Sequence, residues 1–206
     1  MVLILNDLIS MKKGFEINEL FSELGDITQS GIAFVKKRVE KLNQNQLNWK
    51  PNKHTWSLNE IIAHLNSYAN YYHPVFQAKI KNTKFKTVKE KFVPSPLGRS
   101  AWKSMKLGRA NNVKRKFKSP KPYNPTFNKE LVKGDEVDRF LEEQDKFMGI
   151  LKMAQEVNLK KVKVPISISK IIRLRLGDAL LFVTYHNERH IQQAANLLEH
   201  RGFPKQ

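Results

Sequence analysis

The sequence predicts an all-α protein, a four-helix bundle with a long basic connection between its second and third helices. Three observations lead there. Apolar residues recur at helical spacing in four separate stretches of the 206-residue chain. Ser57 followed three residues later by Glu60 is a capping-box pattern that marks one helix start. A stretch from 83 to 130, broken by Pro94, Pro96, Gly98, Gly108, Pro120, Pro122 and Pro125, lacks sustained periodicity and separates the helices into two pairs. Four long helices and one crossover pack most simply as a bundle.

The first helix is expected from Ile17 to about Asn43, where Leu20, Leu24, Ile27, Phe34, Val35 and Leu42 keep the period. Trp49-Lys50-Pro51 then stops it, because the residue before proline avoids helical geometry. The second helix follows Ser57 and carries Ile61, His64, Leu65, Tyr68, Tyr72 and Phe76 on one stripe. Trp56 is placed to staple against Ile61, and Pro74 should kink this helix or end its first part. In the basic connection, 83–130, only short helices are expected, one of them around Ala101 to Leu107. The third helix runs through Val137, Phe140, Leu141, Gln144, Phe147 and Leu151. The β-branched run from Val162 to Ile172 fits either an extended segment or a short added helix. Gly177-Asp178 looks like the N-cap of the last helix, which Gly202 and Pro204 close. Residues 1–16 read as an N-terminal extension to a single domain over 17–206, and Met11 is an alternative start to Met1.

Composition narrows the chemistry. The chain has no cysteine, which removes disulfides, thiolate zinc sites and a cysteine nucleophile. The apolar N-terminus stops at Asn6-Asp7 without a basic flank, and no run is long enough to span a bilayer, so a cytoplasmic protein is expected with no membrane partner. The net charge is +18, and it is concentrated. Residues 79–129 hold 16 Lys or Arg against the single acid Glu90.

Three of the six histidines fall on core-facing stripes. His186 and His190 are four apart on the last helix, so their rings stack on one face a turn apart. Two such imidazoles can reach one ion at about 2.0–2.1 Å without breaking the helix, and His64 on a facing helix offers a third donor. Against this stands the commoner role of a buried histidine as a hydrogen-bonded core residue. A three-nitrogen donor set without a carboxylate pair favours zinc, or nickel or iron in its place, over magnesium or calcium. A zinc-protease reading fails on detail, since Glu188 occupies the wrong position between His186 and His190 and should point off their face.

The run Trp56-Ser57-Leu58-Asn59-Glu60-Ile61-Ile62-Ala63-His64-Leu65 resembles the first signature of the DinB-like (DinB/YfiT) metalloenzyme superfamily. His186-Asn187-Glu188-Arg189-His190-Ile191-Gln192-Gln193 resembles its second. The stretch from Gly98 to Asn124-Pro125 is similar to the connection in one bacterial branch. The likeness runs from about residue 17 to 204. It implies a four-helix bundle in which His64, His186 and His190 bind one divalent metal ion. It further implies a metal-dependent enzyme, either a thiol-dependent S-transferase of the bacillithiol type or a hydrolase, with a small-molecule substrate and a low-molecular-weight thiol as partner. Lacking cysteine, the chain must take any sulfur nucleophile as a cosubstrate. No catalytic residue is assigned.

Neighbouring residues carry plainer expectations. Gln193 reads as an exposed helix glutamine before a ligand-orienting one, Tyr68 and Tyr72 as core or pocket aromatics, and Trp56 as a staple before a substrate platform. His54, His73 and His200 have no spacing that ties them to the metal. The rival function is a non-catalytic binding protein. Its basic 79–129 segment interleaves Phe85, Phe92, Trp102, Phe117, Tyr123 and Phe127 with cations, which suits nucleic acid or another polyanion. The plainer reading, that these rings cover the bundle, is favoured. A homodimer by helix packing is an open alternative to a monomer.

Overall fold

The computed structural model describes residues 14–108, 110–113 and 117–205. The expected extension up to residue 13, and the choice between Met1 and Met11, lie outside them. The elements are β1 (Phe15–Glu16), α1 (Ile17–Arg38), α2 (Gln44–Asn48), α3 (Leu58–Lys81), β2 (Lys91–Phe92), α4 (Pro96–Met105), α5 (Glu136–Ala154), β3 (Lys163–Ile166), β4 (Ser169–Arg175) and α6 (Leu176–Leu198). Single 3₁₀ turns occupy Lys121–Tyr123 and Lys129–Leu131.

The long helices α1, α3, α5 and α6 form the bundle. Both α1 and α3 pack on α5 and on α6, so the first two long helices occupy opposite corners. Two apolar clusters fill it. One gathers Leu20, Leu24, Tyr72, Phe76 and Phe147. The other gathers Val35, Leu47, Ile61, Leu65, Phe140 and Leu197. Each fully buried side chain of this size contributes roughly 1.5–3 kcal/mol relative to exposure. Along α6 the clusters meet across His186 and His190, between Tyr185 and Ala194, and along α3 His64 stands beside Leu65 of the second cluster and one turn before Tyr68 of the first.

Several sequence expectations need correction. The first helix ends at Arg38 rather than near Asn43. Asn43 instead caps the short α2, accepting from the Gln46 amide at 3.0 Å while Gln46 Oε1 accepts from the Asn43 amide at 3.1 Å. Pro74 neither ends nor splits α3, which continues to Lys81. Pro74 and Asn70, the residue whose carbonyl loses its helical donor, both lie on the exposed side, so that carbonyl is open to solvent rather than orphaned in the core. Of the two readings of the β-branched run, the extended one holds: β3 and β4 pair antiparallel across a turn at Ser167-Ile168, with Val164 opposite Leu174. The last helix starts at Leu176 with Arg175 as N-cap, and Asp178 lies inside its first turn.

The basic connection is more structured than its sequence suggested. Its strand β2 pairs with β1 through Phe15 and Phe92, and its helix, Pro96–Met105, begins and ends earlier than the expected Ala101–Leu107. Helix α4 docks on α6 by close approach. The buried Asp178 carboxylate accepts from the Ser95 amide at 3.1 Å and the Ser95 hydroxyl at 2.7 Å. A Cβ on Gly98 would lie 2.0 Å from Asp178 Cγ, so only glycine permits this contact. Phe92 and Trp102 are fully buried, and Phe85 and Tyr123 pack against the core. Most aromatics of the segment therefore cover the bundle, leaving Phe117 and Phe127 as its exposed rings.

On the far side of α3, His73 Nδ1 donates to Glu143 on α5 at 2.7 Å. That hydrogen bond, with help from Lys146, holds the Glu143 carboxyl down at about 2. Among the described residues no helix is long and apolar enough to cross a membrane.

Candidate metal centre

Helix α3 begins where Ser57 Oγ accepts from the Glu60 amide at 3.2 Å and the Glu60 carboxylate accepts from the Ser57 amide at 3.0 Å. This capping box sets the rotation of α3, and its buried stripe brings His64 toward α6. From α6 come His186 and His190. The three can each offer a nitrogen, and these atoms lie within 4.8 Å of one another. Ring centroids are 5.1 Å apart for His64–His186, 4.6 Å for His64–His190 and 4.7 Å for His186–His190.

The outer nitrogens decide which way the lone pairs point. His64 Nδ1 lies 2.5 Å from the Tyr123 carbonyl, which only accepts, so the proton is on Nδ1 and Nε2 is a bare lone pair. His190 Nδ1 donates to Gln193 Oε1 at 2.9 Å, which likewise frees its Nε2. His186 Nε2 stands 3.2 Å from His64 Nε2, while its own buried Nδ1 has no hydrogen-bond partner. Two buried lone pairs that close repel unless a proton or a cation is shared between them. Two nitrogens bound to one ion at about 2.0–2.1 Å stand roughly 3 Å apart, so the spacing suits a cation.

Burial also favours the ligating form. Desolvation lowers His64 to about 4, against the Tyr123 hydrogen bond that raises it. His186 and His190 lie well below the ordinary imidazole value, again chiefly through burial and next through their histidine neighbours. All three are therefore neutral at pH 7.

The histidines border a cavity of about 730 Å³. Its walls come from α3, α4, the connection around Phe117 to Pro120, the β3–β4 hairpin and α6. Tyr68 stacks on His186 at 4.2 Å, and Tyr72 accepts from the Ser167 amide at 3.2 Å. Trp56 faces His64 and His190 across 5.0 and 6.0 Å, and its Nε1 donates to Thr126. It thus lies beside the candidate centre as well as against the second core cluster. Gln193 is half-buried and bonded rather than an exposed glutamine. His54 lines the same cavity despite having no sequence spacing to the trio, whereas His73 pairs with Glu143 and His200 packs on Trp49. Glu188 lies off the histidine face, in a separate cleft with Asp26 and Asn187.

Two contributors carried no sequence signal of their role. The Tyr123 carbonyl is a backbone atom, blind to residue type. Arg189, between the two α6 histidines in sequence, is buried and lines the cavity, although its one-residue offset from His190 would turn it off their face on an ideal helix.

Residues 33–194 match the sequence profile of the DinB superfamily, a span that includes all three histidines. Among solved structures, YfiT from Bacillus subtilis is similar over 89% of each chain at 14% identity, with a TM-score of 0.53. That protein is described as a probable metal-dependent hydrolase with an unusual four-helix bundle topology. At this identity the likeness shows the fold. No protein of curated function matches the chain.

Proposed function

The chain belongs to the DinB superfamily, and we propose that it is a metal-dependent enzyme whose His64, His186 and His190 hold one divalent cation. One observation carries the reading. Three neutral imidazoles, two of them buried and that of His190 half-buried, converge at a cavity, with the outer nitrogens of two of them held by Tyr123 and Gln193. Outer-nitrogen partners of this kind fix ring orientation and tautomer in metal sites. Zinc is the first choice for an all-imidazole set without a carboxylate, with nickel or iron as substitutes.

A divalent cation at this point supplies Lewis acidity, which makes a thiol or a water a competent nucleophile at neutral pH. The protein supplies the rest. Tyr68 and Trp56 hold the histidine rings from either side. The mostly apolar wall lowers the local polarity, which strengthens charge interactions at its inner end. Among the described lining residues there is no carboxylate to serve as a general base for water. A thiol needs far less help to ionise than water does. Thiol-dependent S-transfer with a low-molecular-weight thiol is therefore the preferred reaction, and hydrolysis of an ester or amide is the second.

The test is metal content. Protein purified without added metal should carry about one equivalent, and His64→Ala should lose it while keeping its helical circular dichroism. Full metal in that variant would sink the three-histidine site. Thiol-dependent consumption of an electrophile by the parent chain and not by His64→Ala would support transfer. Thiol-independent cleavage of an activated ester would support hydrolysis.

The competing reading, a polyanion-binding protein, has the exposed cations of residues 79–91 in its favour. Against it, the rings that would stack on bases are mostly inside the core. Steep salt-dependent binding to single-stranded DNA would revive it.

A further inference from the structure

The cavity wall sorts by chemistry. Its charged lining residues among those described, apart from the histidines, are Arg189 and Lys118, both cationic. Arg189 is 6% exposed, and its guanidinium carbon stands 5.5 Å from the centre of the Phe117 ring, which also lines the cavity. Lys118 is exposed at the rim. Most of the remaining wall is aliphatic or aromatic, with Ala101 and Met105 from α4, Leu174 from β4 and Phe182 from α6. Leu97, Ile168 and Ile172 line it too and are 54%, 66% and 44% exposed, so the apolar surface continues outward to the mouth. Exposed apolar side chains gathered around a cavity mouth, beside a buried cation, describe a ligand with two unlike ends.

We propose that the cavity binds an amphiphilic carboxylate, its anionic end held by Arg189 and Lys118 and its apolar body laid against α4 and the β3–β4 hairpin. As a substrate class this rests on the metal-centre reading above; as a binding site it does not. An arginine stays protonated even when buried, and its planar fork matches a carboxylate. Bound this way, the ligand lies in the cavity that the three histidines also line.

The test uses decanoate, butyrate and 1-decanol in isothermal titration calorimetry, on metal-loaded and chelator-treated protein. Decanoate should bind saturably to both forms. Butyrate should bind far more weakly, by about fourfold for each methylene the cavity buries. Arg189→Gln should weaken decanoate about tenfold or more and leave decanol unchanged. Lys118→Gln, at the exposed rim, should cost about two- to threefold. Ile172→Ser should weaken both decanoate and decanol, and together with Lys118→Gln it carries the test if Arg189→Gln does not fold. Equal affinity for decanoate and decanol would overturn the anion subsite, and equal affinity for butyrate and decanoate would overturn the apolar wall. Decanoate that binds only metal-loaded protein, with Arg189→Gln unaffected, would also overturn the proposal by placing the carboxylate on the metal. Chelator-treated protein should keep decanoate while carrying no metal, so the two readings fail separately.

Discussion

Gln193 stands one turn beyond His190 and accepts its Nδ1 proton at 2.9 Å. Read from sequence alone it is one helix glutamine among several. In the fold it sets the tautomer of a candidate ligand. Gln193→Ala should leave the fold intact and weaken metal affinity by about 10–100-fold, measured by competition with a chromophoric chelator. His64 differs in kind, because its partner is the Tyr123 carbonyl, which no side-chain substitution removes. At this scale His186 and His190 were legible because helical spacing places residues four apart on one face, and His64 from its apolar stripe together with the resemblance to the superfamily's first signature. Their partners were not, since a hydrogen bond to a glutamine or a carbonyl depends on rotamers and loop path.

Between elements, the docking of α4 on α6 shows how a segment that reads as a loop becomes a wall. Ser95 binds the buried carboxylate of Asp178, and Gly98 lets the backbone of α4 approach it. Burial raises the Asp178 carboxyl, and the hydrogen bonds from Ser95 work against that rise. Gly98→Ala should destabilise the protein by about 1–3 kcal/mol, since the added carbon overlaps the Asp178 side chain and must displace one helix. Gly149, exposed within α5 with nothing within 4 Å of an added Cβ, is the control. There the same change should be neutral or stabilise by up to about 1 kcal/mol through helix propensity. Denaturant unfolding of the two variants measures both. Local sequence resolved the long helices, whose periods run over many turns. It blurred α2, α4 and the β3–β4 hairpin, whose short spans are decided by partners distant in sequence.

For the molecule as a whole, the candidate centre lies where two apolar clusters meet, with the buried His64 and His186 and the half-buried His190 in place of aliphatic packing. A core interrupted in this way gains stability when a cation engages the three nitrogens, because a ligand bound only by the folded state stabilises it by mass action. Chelator treatment should therefore lower the midpoint of thermal unfolding of the parent chain, by several degrees if free metal exceeds its dissociation constant about a hundredfold. The midpoint of His64→Ala should not respond. The charge of +18 acts on a different level. It bears on which solutes approach the molecule, and most of the aromatic residues interleaved with it serve the core.

By itself the sequence determined the helical class, the four long periods, the capping box that starts α3 and the three histidines on inward stripes, because each follows from spacing along one helix. Only the tertiary structure decided that the first two long helices sit at opposite corners and that α4 and the hairpin close a cavity over the histidines. It alone brought Tyr123 and Trp56 to that place, contacts between segments apart in sequence that no local pattern encodes. Gln193 and Arg189 share α6 with two of the histidines, and rotamers and the packing around that helix decided their roles.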